Sequence, residues 1–123
     1  MSAAERLLLL ISGLAGALGV TFSAMAAHGD YADTLKTCSE ILLAHAPALL
    51  AAVALMSNKQ APRRMVFFGG FLIFVGLCLF CGDLVRRTFV DLRLFPMAAP
   101  AGGVSMIAGW IFIAIAALLP RIR

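Results

Sequence analysis

Four ionisable side chains stand in or beside long apolar stretches of this sequence: His28, Glu40, His45 and Asp83. Two imidazoles and two carboxylates are the donor types of a metal site, and they also suit a proton relay or an ion entry. Glu40 and His45 are five residues apart, which would place them on different faces of a helix. A joint site would therefore need partners from other helices.

A structural role for the same residues is the stronger interpretation. His28 and Asp83 stand where helices are expected to reach the surface, so each can mark or cap a helix end. His45 can donate to a backbone carbonyl that Pro47 leaves without an N–H partner. The four residues are thus a candidate polar cluster, with helix packing as the competing explanation.

Cys78-x-x-Cys81 is the other motif with chemical potential. A redox motif needs an accessible, electropositive environment that stabilises a thiolate, and an apolar run has the opposite effect. The odd total of three cysteines also argues against a disulfide framework. With no nucleophile–base arrangement and no phosphate loop in view, we expect no enzymatic activity, no cofactor and no metal.

The elements that would position these groups follow from composition. Hydrophobic residues make up 63% of the 123 residues and charged residues 13%, against about 45–50% and about 25% in soluble domains. The apolar residues come in blocks of the length that crosses a bilayer, about 17–25 residues. The sequence therefore predicts an all-α integral membrane bundle, a single domain over residues 1–123 with short loops and four transmembrane helices at about 7–27, 38–56, 65–84 and 98–119.

The first apolar run has a second possible interpretation. Arg6, the run itself and Ala24-Met25-Ala26 are similar to a secretory signal peptide with its cleavage site. The run over 7–27 is longer than the usual apolar core of about 7–15 residues, and small residues are spread through it. A retained helix with Ala15, Gly19 and Ser23 as a packing stripe is therefore preferred, and cleavage stays an alternative.

The last apolar segment opens with a run of small residues that leaves one helix side nearly bare. In lipid such a side is a packing surface, because close backbone approach replaces the missing hydrophobic drive. We expect the other helices to pack against this segment. The predicted packing motif is Pro100, Gly102, Gly103, Ser105, Gly109 and Trp110.

The distribution of basic residues predicts the orientation. Six lie on the side of the N-terminus, namely Arg6, Lys59, Arg63, Arg64, Arg121 and Arg123; the opposite side has four, Lys36, Arg86, Arg87 and Arg93. The excess places both termini in the cytoplasm. Because these residues flank membrane helices, the net charge of +4 indicates a lipid bilayer as partner and no nucleic acid.

Several short segments in chain order resemble one known family. They are Ala26-Ala-His28, Ala44-His45, Leu79-Phe-Cys-Gly82, Leu92-Arg93-Leu94 and, most specifically, Pro100-Ala-Gly-Gly-Val-Ser-Met-Ile-Ala-Gly-Trp110. Together they resemble the domain-of-unknown-function family 423 of four-span membrane proteins, which includes bacterial inner-membrane proteins and transmembrane protein 256 of animals. The resemblance implies the fold and a multi-pass location in the bacterial inner membrane. It carries no activity over to this chain.

Two functions from different classes follow from these observations. The first is a structural or accessory membrane protein that acts through helix–helix contacts, as a homo-oligomer or within a larger membrane complex. The alternative is a small transporter or ion or proton pathway that uses His45 with His28 or Asp83.

Overall fold

The computed structural model describes residues 1–29 and 31–120, and this part of the chain forms four long α-helices. They are α1 (Ala3–His28), α2 (Ala32–Ser57), α3 (Arg63–Val90) and α4 (Ala98–Ala116). Each helix is long and apolar enough to cross a membrane. The predicted all-α bundle of four membrane helices is confirmed.

Two of the helix ends lie well beyond the predicted limits. Helix α2 begins at Ala32 and not near Cys38, and α3 continues to Val90 and not to about Leu84. A stretch without charged residues locates the part of a helix inside the hydrocarbon layer, but it does not locate the helix ends. Lys, Arg and Glu are good helix formers, so a helix can continue through them beyond the membrane. The 28 residues of α3 rise about 42 Å, which matches a bilayer with its headgroups, about 40–45 Å.

The helices form two antiparallel hairpins. Helix α1 packs along α2, α3 packs along α4, and the hairpins join mainly where α2 meets α3, with a small contact between α1 and α3. Within residues 1–29 and 31–120 the backbone of α4 comes close to that of α3 alone. The expectation that the other helices pack against α4 was therefore wrong: α2 and α3 occupy the centre.

The outer faces carry large apolar side chains. Leu10 is 60% exposed on α1, and Val104 and Ile107 are 66% and 62% exposed on α4. In water such an exposed apolar surface would favour aggregation. In lipid it is the solvent-facing surface of a membrane protein, and small residues are left to fill the helix contacts.

The near side of the membrane is defined here as the side with Ser2 and the turn between α2 and α3. Ser2 caps α1 in a reciprocal capping box with Glu5, and the guanidinium of Arg63 bonds the Glu5 carboxylate at 2.8 Å and also Ser2. The far side has the end of α1, the start of α2 and the connector 91–97. Arg121 and Arg123, two of the six basic residues assigned to the near side, lie outside the described residues.

Candidate functional site

His45 lies in the middle of α2 and is only 8% exposed. Its Nδ1 is 2.7 Å from the carbonyl oxygen of Ile41, one helical turn earlier. A carbonyl only accepts hydrogen bonds, so Nδ1 carries the proton. The sequence predicted a different acceptor, the carbonyl of Leu43, because Pro47 lacks the N–H that would normally bond to that carbonyl. His45 therefore makes a helix-backbone bond as predicted, but to another carbonyl.

The second ring nitrogen of His45 faces the only tryptophan of the chain. Trp110 Nε1 lies 3.2 Å from His45 Nε2, and the two rings are tilted by 57° with their centres 5.9 Å apart. Indole N–H can only donate, so Nε2 accepts and the imidazole is neutral. Both ring nitrogens are thus engaged, and a proton or a metal can reach Nε2 only if Trp110 moves away.

Trp110 was predicted as part of the packing motif of α4. Its side chain is 46% exposed and reaches from α4 to α2. Because the backbones of these two helices do not approach each other in the described structure, this side-chain bond links the two hairpins directly.

Asp83 is almost fully buried, at 2% exposure, near the far end of α3. One carboxylate oxygen accepts the backbone N–H of Leu94 at 2.9 Å, and the other pairs with Arg87 at 2.7 Å. Asp91 is also four residues away from Arg87 but makes no ion pair with it. The observed pair balances a buried charge and anchors the connector 91–97 to α3.

The other two members of the candidate polar cluster are exposed. His28 is the last residue of α1. Glu40 lies in the first half of α2, on its exposed face. The hydrogen bonds of His45 and Asp83 go to other partners, as described above. Across residues 1–29 and 31–120, no three His, Cys, Asp or Glu side chains are grouped so that they could hold a metal ion.

The packing motif of α4 meets glycines of α3. A methyl group at Gly102 would lie 2.7 Å from the carbonyl oxygen of Gly76, and one at Gly109 would lie 2.6 Å from that of Gly69. Real methyl groups do not come this close to backbone atoms, so the two helices can approach only because all four positions lack a side chain. Between these two points Ser105 donates to the carbonyl of Leu72 at 2.7 Å.

Two members of the predicted motif do not take part in this contact. A methyl group at Gly103 would meet nothing within 4 Å, so its place in the helix-packing surface was wrong. Pro100 is exposed in the first turn of α4, where the missing N–H of proline costs no helical hydrogen bond.

The contact between α1 and α2 uses hydroxyl groups. Ser12 donates to the carbonyl of Ala46, and Ser39 donates to the carbonyl of Gly19, both at 2.8 Å. The predicted stripe on α1 is correct for Ala15 and Gly19, which are buried, and wrong for Ser23, which is exposed. Ser12 lies on the buried face and makes the hydrogen bond.

The cysteines do not form the pair that their spacing suggested. Cys81 faces Cys38 across the contact of α2 with α3, and each sulfur lies 4.0 Å from the main-chain carbonyl of the other residue. Cys78 is exposed. It lines a groove of about 380 Å³ between α1 and α3, together with apolar side chains such as Leu18 and Phe74.

Two of these features left a local signal in the sequence that our predictions did not use. Ser2-Ala-Ala-Glu5 before an apolar run is the sequence signature of a capping box, and it forms as that pattern predicts. His45 and Trp110 are 65 residues apart, so no local pattern connects them. The glycine pairs did leave a signal, because Gly69 and Gly76 are seven residues apart, as are Gly102 and Gly109.

Comparison with known sequences gives one family and several relatives. Residues 13–103 match the family described as protein of unknown function, DUF423. The chain is 28% identical over 120 residues to UPF0382 membrane protein YwdK of Bacillus subtilis, covering 92% of this chain and 97% of the relative. It is 25% identical over 121 residues to UPF0382 inner membrane protein YgdD of Escherichia coli, covering 93% and 91%. No solved structure matches the chain.

Proposed function

This chain belongs to the DUF423 family, and from that premise we propose that it is an accessory protein of the bacterial inner membrane, which acts by contact of its helices with a second membrane chain. The relatives support the location, since they are named as membrane or inner membrane proteins. The proposal includes no catalytic step and no bound cofactor.

The use of the polar side chains supports a structural role. Ser12, Ser39 and Ser105 each donate to a carbonyl of the neighbouring helix. His45 accepts a hydrogen bond from Trp110. Asp83 pairs with Arg87 and accepts a hydrogen bond from Leu94 in the connector that follows α3. Interhelical hydrogen bonds of this kind are a usual means of holding membrane helices together.

The outer face of α1 supports contact with another chain, and it is the observation that carries the proposal. Gly13, Ala17 and Thr21 are exposed and four residues apart, opposite the face that packs on α2. A methyl group at Gly13 would meet nothing within 4 Å. Small residues at this spacing let a second helix approach closely. The glycines at the contact of α3 with α4, namely Gly69, Gly76, Gly102 and Gly109, are already occupied within the chain, whereas this face of α1 is open.

The orientation belongs to the same proposal. Among the described residues the two sides have four basic residues each, so the near-side excess of six against four comes from Arg121 and Arg123 of the sequence. The turn 58–62 is short enough for the charge rule to apply. We place both termini in the cytoplasm. A cysteine-labelling or protease-protection experiment on intact cells that found the turn 58–62 outside would contradict this orientation.

The experiment for the function is the native mass of the protein after gentle solubilisation, together with any copurifying chains. We expect a mass above the 13.0 kDa of one chain, and we expect Gly13→Leu to reduce it to a single chain. Ala101→Leu is the matched control, because it enlarges an exposed small residue of α4 and should leave the mass unchanged. A wild-type protein of single-chain mass with no partner would contradict the proposal.

The ion or proton pathway makes a different prediction. It requires His45 to exchange protons with His28 or Asp83, and the bond to Trp110 occupies the nitrogen that would do so. For a pathway, His45→Ala would abolish flux in vesicles. For the accessory role, the vesicles should show no flux that depends on His45.

A further inference from the structure

A pocket of about 400 Å³ lies on the far side, between the end of α3 and the start of α4. Its lining combines apolar residues of the first turn of α4 with the side chains of Arg87 and Arg93. Gly103 is part of the same lining, and a methyl group there would meet nothing within 4 Å. The missing side chain of Gly103, which serves no helix contact, thus leaves the pocket open.

Arg87 has a hydrogen-bond donor that remains unused. Its Nη2 bonds to Asp83 at 2.7 Å, whereas its Nε is buried and has no acceptor in the described part of the chain. Buried donors without an acceptor are rare in native proteins and often indicate a missing water or ion. The side chain as a whole is 35% exposed, and it lines this pocket as well as a second one beside the end of α3.

The charges around the pocket favour an anion. Its lining has two arginines and one acid, Asp83, and that acid is already paired with Arg87. Arg93 is exposed and makes no ion pair within residues 1–29 and 31–120. The start of α4, which has no side-chain cap, adds a partial positive charge of its own.

The location of the pocket identifies the kind of anion. It lies where the connector 91–97, which carries the charged residues Asp91 and Arg93, meets the membrane part of α4. The lipid-exposed side chains of Val104 and Ile107 follow along that helix towards the bilayer centre. A ligand with an anionic head and apolar chains matches both regions at once. We propose that the pocket binds the phosphate group of an anionic phospholipid in the far leaflet, with the acyl chains along α4.

The test measures phospholipid retained by the full-length protein in mild detergent, by native mass spectrometry. The probes are phosphatidylglycerol and phosphatidylcholine with identical acyl chains, each in competition with inorganic phosphate. We expect the wild type to retain phosphatidylglycerol in preference to phosphatidylcholine. Inorganic phosphate should not displace it, because the free ion lacks the apolar chains.

Two variants and a control locate the bound lipid. Arg93→Gln removes one charge from an exposed connector and should weaken retention about fivefold, the usual contribution of one basic residue to binding an anionic lipid. Gly103→Leu fills the pocket without changing a charge and should abolish the preference. Arg86→Gln is the control, since Arg86 is exposed beside Arg87 but does not line this pocket, and we expect less than about a twofold change.

Three outcomes would overturn the proposal. One is equal retention of the two lipids by the wild type. Another is the same loss in Arg86→Gln as in Arg93→Gln, which would indicate general surface attraction. The third is displacement of the lipid by inorganic phosphate, which would assign the pocket to a soluble anion. Since Arg93→Gln alters only an exposed side chain, its result stands even if Gly103→Leu does not fold.

Discussion

The two hairpins have the same contact geometry but use different chemistry. In the first, Ser12 meets Ala46 and Gly19 meets Ser39; in the second, Gly69 meets Gly109 and Gly76 meets Gly102. On every helix the two contact points are seven residues apart, which is two turns and returns to nearly the same face. The first hairpin is held at these points by hydroxyl–carbonyl bonds and the second by backbone contact.

This difference implies unequal tolerance to substitution. A serine hydroxyl can be removed and only one hydrogen bond is lost, since the helices keep their distance. A side chain cannot be added at a glycine contact unless the helices move apart along their length. We therefore expect a side chain added at a glycine of the second hairpin to lower the free energy of unfolding strongly. Removal of a serine hydroxyl from the first hairpin should lower it only slightly.

The largest effect is expected from Gly102→Ala. Its methyl group would lie 2.6 Å from the backbone nitrogen of Phe80 and 2.7 Å from the carbonyl oxygen of Gly76, so α4 must shift. We predict a loss of about 3 kcal/mol in the free energy of unfolding, the upper part of the range for overpacking. Titration with a denaturing detergent, followed by circular dichroism, measures it.

The neighbouring residue provides the matched control for that substitution. Gly103→Ala adds the same methyl group where nothing lies within 4 Å, and we predict a change within about 0.5 kcal/mol. Equal losses at the two positions would contradict a role for the contact of α3 with α4, because the higher helix propensity of alanine favours the folded state at both positions.

The next effect concerns the connector that closes the second hairpin. Asp83→Ala removes the carboxylate that binds the N–H of Leu94 and the guanidinium of Arg87. Because Arg87 is partly exposed, we predict a loss of about 2 kcal/mol, the scale of hydrogen bonds to a charged group. The measurement is the same titration, and proteolysis within 91–97 should become faster. Unchanged proteolysis would mean that Asp83 does not anchor the connector.

Smaller effects are expected in the first hairpin. Ser12→Ala and Ser39→Ala each delete one interhelical hydrogen bond, and we predict about 0.6 kcal/mol for each, the average for such bonds in a membrane. The double variant should show the sum, since the two bonds are about 10 Å apart along the helices. A loss comparable to that of Gly102→Ala would remove the distinction between the hairpins.

The smallest effect is expected for the bond that links the hairpins. Trp110→Phe keeps an aromatic ring but loses the N–H that donates to His45, and we predict about 0.6 kcal/mol or less. His45→Phe offers a second measurement, because Trp110 is the only tryptophan and its emission should respond to loss of the acceptor. Unaltered emission in His45→Phe would contradict the bond.

The sequence predicts the membrane helices more reliably than their contacts. Blocks of apolar residues locate all four spans, because lipid demands an uninterrupted apolar surface. The same blocks do not predict the helix ends, because α2 and α3 continue through charged residues such as Lys36 and Arg86. The composition of the last segment correctly indicates a packing surface at Gly102 and Gly109. The inclusion of Gly103 came from counting small residues and not from their spacing of seven.

The polar contacts were harder to predict. Arg87 has an acid four residues away on each side, Asp83 and Asp91, and spacing alone cannot distinguish them. Burial does, since Asp83 is 2% exposed and a buried carboxylate needs a partner. His45 and Trp110 meet only because α4 lies along α3, which in turn lies along α2. That arrangement is a property of the packed helices and not of any local pattern.

Contact of the outer face of α1 with a second chain is the central claim, and photo-crosslinking in the native membrane tests it directly. A photoreactive amino acid would replace Ala17, at the centre of that face, and in a parallel strain Ala101 on the outer face of α4. We predict a crosslink to a discrete protein from position 17 and none from position 101. Crosslinks from position 17 to lipid alone, or the same protein from both positions, would contradict the account.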